Sequence, residues 1–160
     1  MSKAAVYFWT AFLSILPVSE LRGAIPFALA NAVPWYLAYP AAAFLNALVA
    51  PVCWVFLSTL HGLFLKMSWY KKLFGQIIER ARIKLHGNVE RWGWLGIAVF
   101  VAIPLPFTGA WTGTLGAWVL GLSKRRTMLA VCLGVIAAGA IVTAVVLLGL
   151  QALNVFIKEV

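Results

Sequence analysis

Two stretches of the chain are apolar from end to end. They are residues 41–65, AAAFLNALVAPVCWVFLSTLHGLFL, and residues 127–153, which hold no charge at all. Each exceeds the roughly 20 residues a helix needs to cross a hydrocarbon core, so both predict transmembrane helices. Pro51 reads as a kink whose freed carbonyl is satisfied by neighbouring groups. Between these runs the period changes. Trp69, Leu73, Phe74, Ile77, Ile78, Ala81 and Leu85 recur at three- and four-residue spacing, with lysines and arginines between them. That pattern predicts an amphipathic helix in the headgroup layer, with His86-Gly87-Asn88 as its C-cap. Two readings of it stand: a solvated linker helix, or a helix that holds anionic lipid headgroups through Lys71, Lys72, Arg80 and Lys84.

Two further segments are apolar but broken. Residues 94–121 are long enough to cross once, yet Pro104, Pro106 and Gly109 interrupt a helix in the middle. Both flanks are basic, with Arg91 before and Lys124, Arg125 and Arg126 after. A single crossing would put one basic cluster outside, against the positive-inside bias. The segment is therefore expected to be a re-entrant hairpin, entering and leaving on the cytoplasmic side. Such backbone is tolerated only when buried in protein or lining a wet cavity. Residues 4–33 repeat the design, with an apolar arm to Leu16, a break over Pro17, Gly23 and Pro26, and a short arm to Val33. Pro34, Trp35, Tyr36, Tyr39 and Pro40 then predict an external interfacial turn. Leu16-Pro17 and Ile103-Pro104 match at an offset of about 87 residues, as do the helices expected near Ala41 and Thr127. One full crossing separates the halves, so the second hairpin enters from the opposite face, an inverted-topology repeat.

Composition agrees with a lipid solvent. Of 160 residues, 64% are hydrophobic and 11% charged, where a soluble domain carries about a quarter charged residues. The expected fold is an all-α integral membrane protein of one domain. Repeat 1 covers 4–65, an interfacial linker helix 66–92, and repeat 2 covers 94–153. The net charge of +9 lies in two clusters at the ends of apolar runs, which excludes a nucleic-acid footprint and places the linker in the cytoplasm, with the chain in the inner membrane. Cys53 and Cys132 sit in apolar runs without metal or disulfide spacing and read as small buried side chains. Glu20 and Arg22 interrupt the N-terminal apolar stretch where a signal peptide would not, so it reads as mature protein.

Candidate chemistry concentrates in the two breaks. Glu20 and Arg22 sit in the first tip beside Ser19, at a depth where charges usually face a cavity and carry function. Arg22 cannot shed its proton and requires an anion. Glu20 supplies one, and a substrate phosphate or carboxylate would supply another. The bland alternatives are a pair that neutralises itself and pins the hairpin, and a tip lying shallow among headgroups. Glu20 is also a candidate proton carrier. In the second tip Thr108 is expected to cap the returning arm, Gly109 to line the site or permit close packing with Gly113, and Trp111 to line or fill the cavity. Each returning arm starts at a tip, so two positive helix ends would meet at an anionic group. Asn31, Asn46, His61 and Thr143 read as interhelical glue. No nucleophile–base pair, phosphate loop or paired carboxylates are present, so no enzyme, cofactor or metal is expected.

Glu20-Leu21-Arg22-Gly23-Ala24-Ile25-Pro26, followed by Pro104-Leu105-Pro106-Phe107-Thr108-Gly109-Ala110-Trp111-Thr112-Gly113, resembles the small multidrug export family. That family is similar to a branch of the DedA superfamily of hairpin-containing membrane proteins. The family name implies drug export. The wider superfamily implies translocation of polyprenyl-phosphate carriers, phospholipid scrambling and proton-linked phenotypes. By position, Glu20 and Arg22 match the acidic and basic members of the first tip. The family's second motif reads Pro-x-Pro-Gly-Thr-Gly, and Phe107 stands here in place of its first glycine. DedA-type second tips carry arginines, and this chain has none between Arg91 and Lys124.

The expected function is a transporter or flippase for an amphipathic, anionic, lipid-phosphate-like substrate, working as a homodimer among membrane lipids. The alternatives are a proton-coupled exporter of cationic drugs, with Glu20 as ligand, and a non-transporting organiser that binds anionic lipid.

Overall fold

A computed structural model describes residues 1–60, 75, 76, 79, 83, 92–105 and 108–158, with side chains to 149. Most of the amphipathic segment lies outside the described residues, including Lys71, Lys72, Arg80 and Lys84, as do Pro106 and Phe107. The described elements are helical: α1 (Lys3–Ile15), α2 (Glu20–Ala30), α3 (Trp35–Val55), α4 (Trp94–Ala102), α5 (Ala110–Val119) and α6 (Lys124–Lys158). A π-helical turn, Phe56–Leu60, continues α3.

The order short, short, long occurs twice, and the reasons for each stop recur. Helices α1 and α4 both end at an extended residue before proline, Leu16 and Ile103, which lie 87 positions apart. A proline ring clashes with helical backbone in the residue before it, so the stop is built into the X–Pro pair. Helices α2 and α5 both end in a Schellman turn. At the first, Val33 N–H reaches Ala28 O and Ala32 N–H reaches Leu29 O. At the second, Leu122 N–H reaches Ala117 O and Gly121 N–H reaches Trp118 O. The left-handed positions are Ala32 (φ 61°) and Gly121 (φ 73°), 89 apart. The second tip is longer than the first by three residues and α5 is shorter than α2 by one, which together account for the change in offset from 87 to 89.

Several boundaries differ from the sequence reading. The first tip is only Leu16–Ser19, and Gly23 and Pro26 lie inside α2 rather than breaking it. Pro26 removes one helical N–H, and the neighbouring turns hold the helix through it. Trp111, Thr112 and Gly113 likewise lie inside α5. The expected turn at 34–40 is already helix from Trp35 on, and Pro40 is an interior residue of α3. Tyr39 explains why this end is helical: its ring lies over Gly139 of α6, and its hydroxyl donates to Ile136 O at 3.0 Å. The basic trio Lys124–Arg126 forms the first turn of α6 rather than a loop.

Trp35–Leu60 and Lys124–Gly149 are each 26 residues long and apolar enough to cross a membrane. At 1.5 Å per residue each spans about 39 Å, more than a ~30 Å core. One main cluster joins α2 to α6, with Ile25, Val49, Ile97, Val131 and Val135 at its centre. Small residues set its spacing: an added Cβ at Gly134 would lie 2.7 Å from Ala98 O, so α4 and α6 touch backbone to backbone.

Candidate functional site

The site begins with the carbonyl groups that α1 leaves behind. A helix that stops at Ile15 strands its last acceptors, and no lipid can serve them. Leu16 N–H reaches back to Phe12 O at 3.3 Å. Leu13 O would receive the N–H four residues on, but that residue is Pro17. Ser14 O accepts Asn46 Nδ2 from α3 at 3.1 Å. Ile15 O accepts Trp111 Nε1 from α5 at 2.9 Å. Leu16 O accepts Glu20 N–H at 2.9 Å. The broken end of α1 is thus tied to α3 by Asn46, acting as the interhelical glue the sequence suggested, and to α5 by Trp111, which the sequence reading gave to the cavity.

Glu20 closes this turn with φ 50°, in the left-handed region where glycine is usual. A non-glycine residue held there points to a requirement for its side chain. The residue is 3% exposed. One carboxylate oxygen meets Arg22 Nη2 at 3.3 Å, and the other accepts Trp111 N–H at 3.4 Å. Ala110 N–H also bonds to the carboxylate. Gly109, at the N-cap of α5, lies directly under it, and any Cβ there would overlap the carboxylate. Glycine is what lets the carboxylate reach the helix end.

The first donors of α5 are therefore accounted for. Gly109 N–H goes to Thr112 Oγ1 at 3.1 Å, and Ala110 and Trp111 go to Glu20. Charge and dipole agree, because a carboxylate is favoured at a helix N-terminus. The N-terminus of α5 holds Glu20 itself, where the sequence reading left it free for a substrate. Arg22 shares the same carboxylate, with its side chain 16% exposed.

The remaining expected residues fall at or near this junction. Ser19 is the N-cap position of α2 without a side-chain capping bond, and its hydroxyl packs against Gly23. Thr108 does not cap α5. Its hydroxyl lies 2.6 Å from Ile103 O and 2.7 Å from Leu105 O and accepts Leu105 N–H, so it closes the turn after Pro104. Thr112 takes the capping role because it sits three residues into the helix and can reach back. Sequence reasoning missed Asn46, Ala110 and Thr112 as parts of the site. The available signal was the Gly109-Ala110 pair, small enough to admit a side chain from elsewhere.

No curated protein and no solved structure matches the chain. A family model does, over residues 20–141, from the tip glutamate to the middle of α6, and its description is "Putative small multi-drug export protein". The match takes in α2, α3, α4, α5 and the first half of α6, well over half of the chain, and the chain belongs to this family of membrane proteins.

Proposed function

We propose that the protein is a membrane transporter that moves an amphipathic molecule bearing an anionic group, a lipid-phosphate-like substrate among them. The family name points to small multidrug export. The observation that carries the finer reading is the Glu20 carboxylate, held between Arg22 and the N-terminus of α5. That cradle of guanidinium and backbone N–H groups suits any carboxylate or phosphate oxygen. Glu20 fills it as a tethered occupant. A substrate anion takes the cradle when Glu20 leaves, and protonation of Glu20 is one way to release it.

In this reading α1–α2 and α4–α5 are re-entrant hairpins entering from opposite faces, an inverted repeat of the kind found in DedA-like transporters. The basic 66–92 linker is cytoplasmic at the inner membrane, with Lys71, Lys72, Arg80 and Lys84 on lipid headgroups. Two copies complete the pathway. Separation of the Glu20–Trp111 and Ile15–Trp111 contacts opens it.

The test is reconstitution in liposomes with a fluorescent lipid phosphate, an anionic dye and a cationic dye. Movement of the anionic probes that disappears in Arg22→Ala is the expected result. Movement of the cationic dye alone, surviving Arg22→Ala and lost in Glu20→Gln, overturns it in favour of cation export. Movement of no probe, with lipid retention lost on charge reversal of Lys71, Lys72, Arg80 and Lys84, makes the chain a lipid organiser.

A further inference from the structure

The same broken helix carries a second polar cluster, built from Ser14 and Asn46 without a charged member. Asn46 is fully buried in the middle of α3. Its Nδ2 donates to Ser14 O, but its Oδ1 has no hydrogen-bond partner. A buried amide oxygen without a donor is costly, so a persistent one calls for an occupant. The end of α1 that this amide reaches is rich in acceptors. Leu13 O lies on the same helix end and loses its usual donor to Pro17. Ser14 O retains a lone pair. The Ser14 hydroxyl, also fully buried, spends its proton on Thr10 O at 2.8 Å.

Asn46 Oδ1 is therefore an unpartnered acceptor on an amide seated at the C-terminal end of α1, where the helix dipole adds about half a negative charge. The described part of α1 places its lysine, Lys3, at the opposite end, and Arg22 is committed to Glu20. Neutral carbonyl and amide oxygens at a half-helix C-terminus suit a monovalent cation. A divalent ion takes carboxylates, and among the described residues no group of acidic, histidine or cysteine side chains comes together.

We propose that Asn46 Oδ1, with the Leu13 and Ser14 carbonyls, binds a sodium-sized monovalent cation at the broken end of α1. The site is one residue from the Ile15–Trp111 contact, so the ion stabilises the arrangement in which the two tips are joined. Only its use as a coupling ion rests on the transport reading; the binding does not.

The experiment is thermal unfolding of the purified protein in detergent, with sodium chloride exchanged for choline chloride at constant ionic strength. Binding to the folded state alone raises Tm with ligand concentration. The wild type is expected to show a saturable sodium-dependent rise. Asn46→Leu, which removes the oxygen, is expected to lose it. Asn46→Asp, which keeps the oxygen and adds charge, is expected to reach half-saturation at a sodium concentration at least tenfold lower, and it decides the matter if Asn46→Leu does not fold. A wild-type Tm indifferent to sodium, or a response that Asn46→Asp leaves unchanged, overturns the proposal and assigns Oδ1 to a buried water. Failure of the transport reading is distinguishable: probes then stay unmoved in liposomes while the sodium response of Tm persists.

Discussion

The carboxylate of Glu20 and the backbone N–H of Trp111 meet at 3.4 Å although 91 positions separate them. The contact joins the first tip to the second and gives α5 an acidic partner that its own sequence lacks. It also requires two local oddities, a glutamate at φ 50° and a glycine at position 109. Each oddity can be tested without disturbing the other.

Glu20→Ala and Glu20→Gly delete the same carboxylate, so both lose the bonds to Arg22 and α5. They differ in backbone alone. Alanine retains the left-handed strain that glutamate bears, whereas glycine adopts φ 50° freely. The glycine variant is expected to be the more stable by about 1 kcal/mol. Paired unfolding curves in detergent check this. An alanine variant as stable as glycine would show that the turn relaxes away from this conformation.

Glu20→Gln and Arg22→Ala break one ion pair from its two sides, with unequal results. Glutamine leaves Arg22 charged, mostly buried and without its carboxylate, at a cost of about 3 kcal/mol. Arg22→Ala leaves a carboxylate that keeps its α5 N–H bonds and can take up a proton, so the loss is expected to be about half as large. The Glu20→Gln/Arg22→Gln double variant is expected to recover part of the first loss. Equal single losses that simply add in the double variant would mean that the pair contributes nothing as a pair.

Gly109→Ala sets a methyl group where the Glu20 carboxylate sits. It is expected to abolish transport while the protein still folds, because the methyl meets the far end of the Glu20 side chain, which can move, and no backbone atom. Gly134→Ala is the contrast. Its methyl would meet Ala98 O and Val101 at 2.7 and 2.6 Å, where α4 and α6 touch backbone to backbone. It is expected to lower Tm and yield of folded protein. Transport rate per folded molecule, measured beside Tm, separates the two effects.

Much of this arrangement was legible in the sequence, for identifiable reasons. The stops at Leu16 and Ile103 follow from proline sterics, which act within two residues. The long helices follow from uninterrupted apolar runs. The Glu20–Arg22 pair stood out because charge inside apolar sequence is expensive. The errors came where tertiary contacts overrode local signals. Pro26 and Pro40 are breakers in isolation, yet α2 and α3 run through them because packing against neighbours holds the turns. Thr108 has the residue type of a cap, but the conformation after Pro104 turns its hydroxyl back to Ile103 O. Nothing local announces that Asn46 would serve a carbonyl on α1, or that Glu20 would serve the N-terminus of α5. Both pairings depend on how the helices dock.

Trp111 supplies the last test, because it holds the tips together twice. Its backbone N–H meets Glu20, and its indole N–H meets the Ile15 carbonyl at 2.9 Å. Trp111→Phe removes the second bond and leaves the first. Ile15 O then loses a donor that lipid cannot replace, so a loss of about 1–2 kcal/mol is expected. Under the transport reading the tips also part more readily, so the rate of substrate movement is expected to change by more than the stability loss alone explains. Trp111→His retains a ring N–H and is expected to restore part of both properties. A Trp111→Phe protein with wild-type Tm and wild-type transport would remove the indole bond from the mechanism and leave Glu20 to link the two tips.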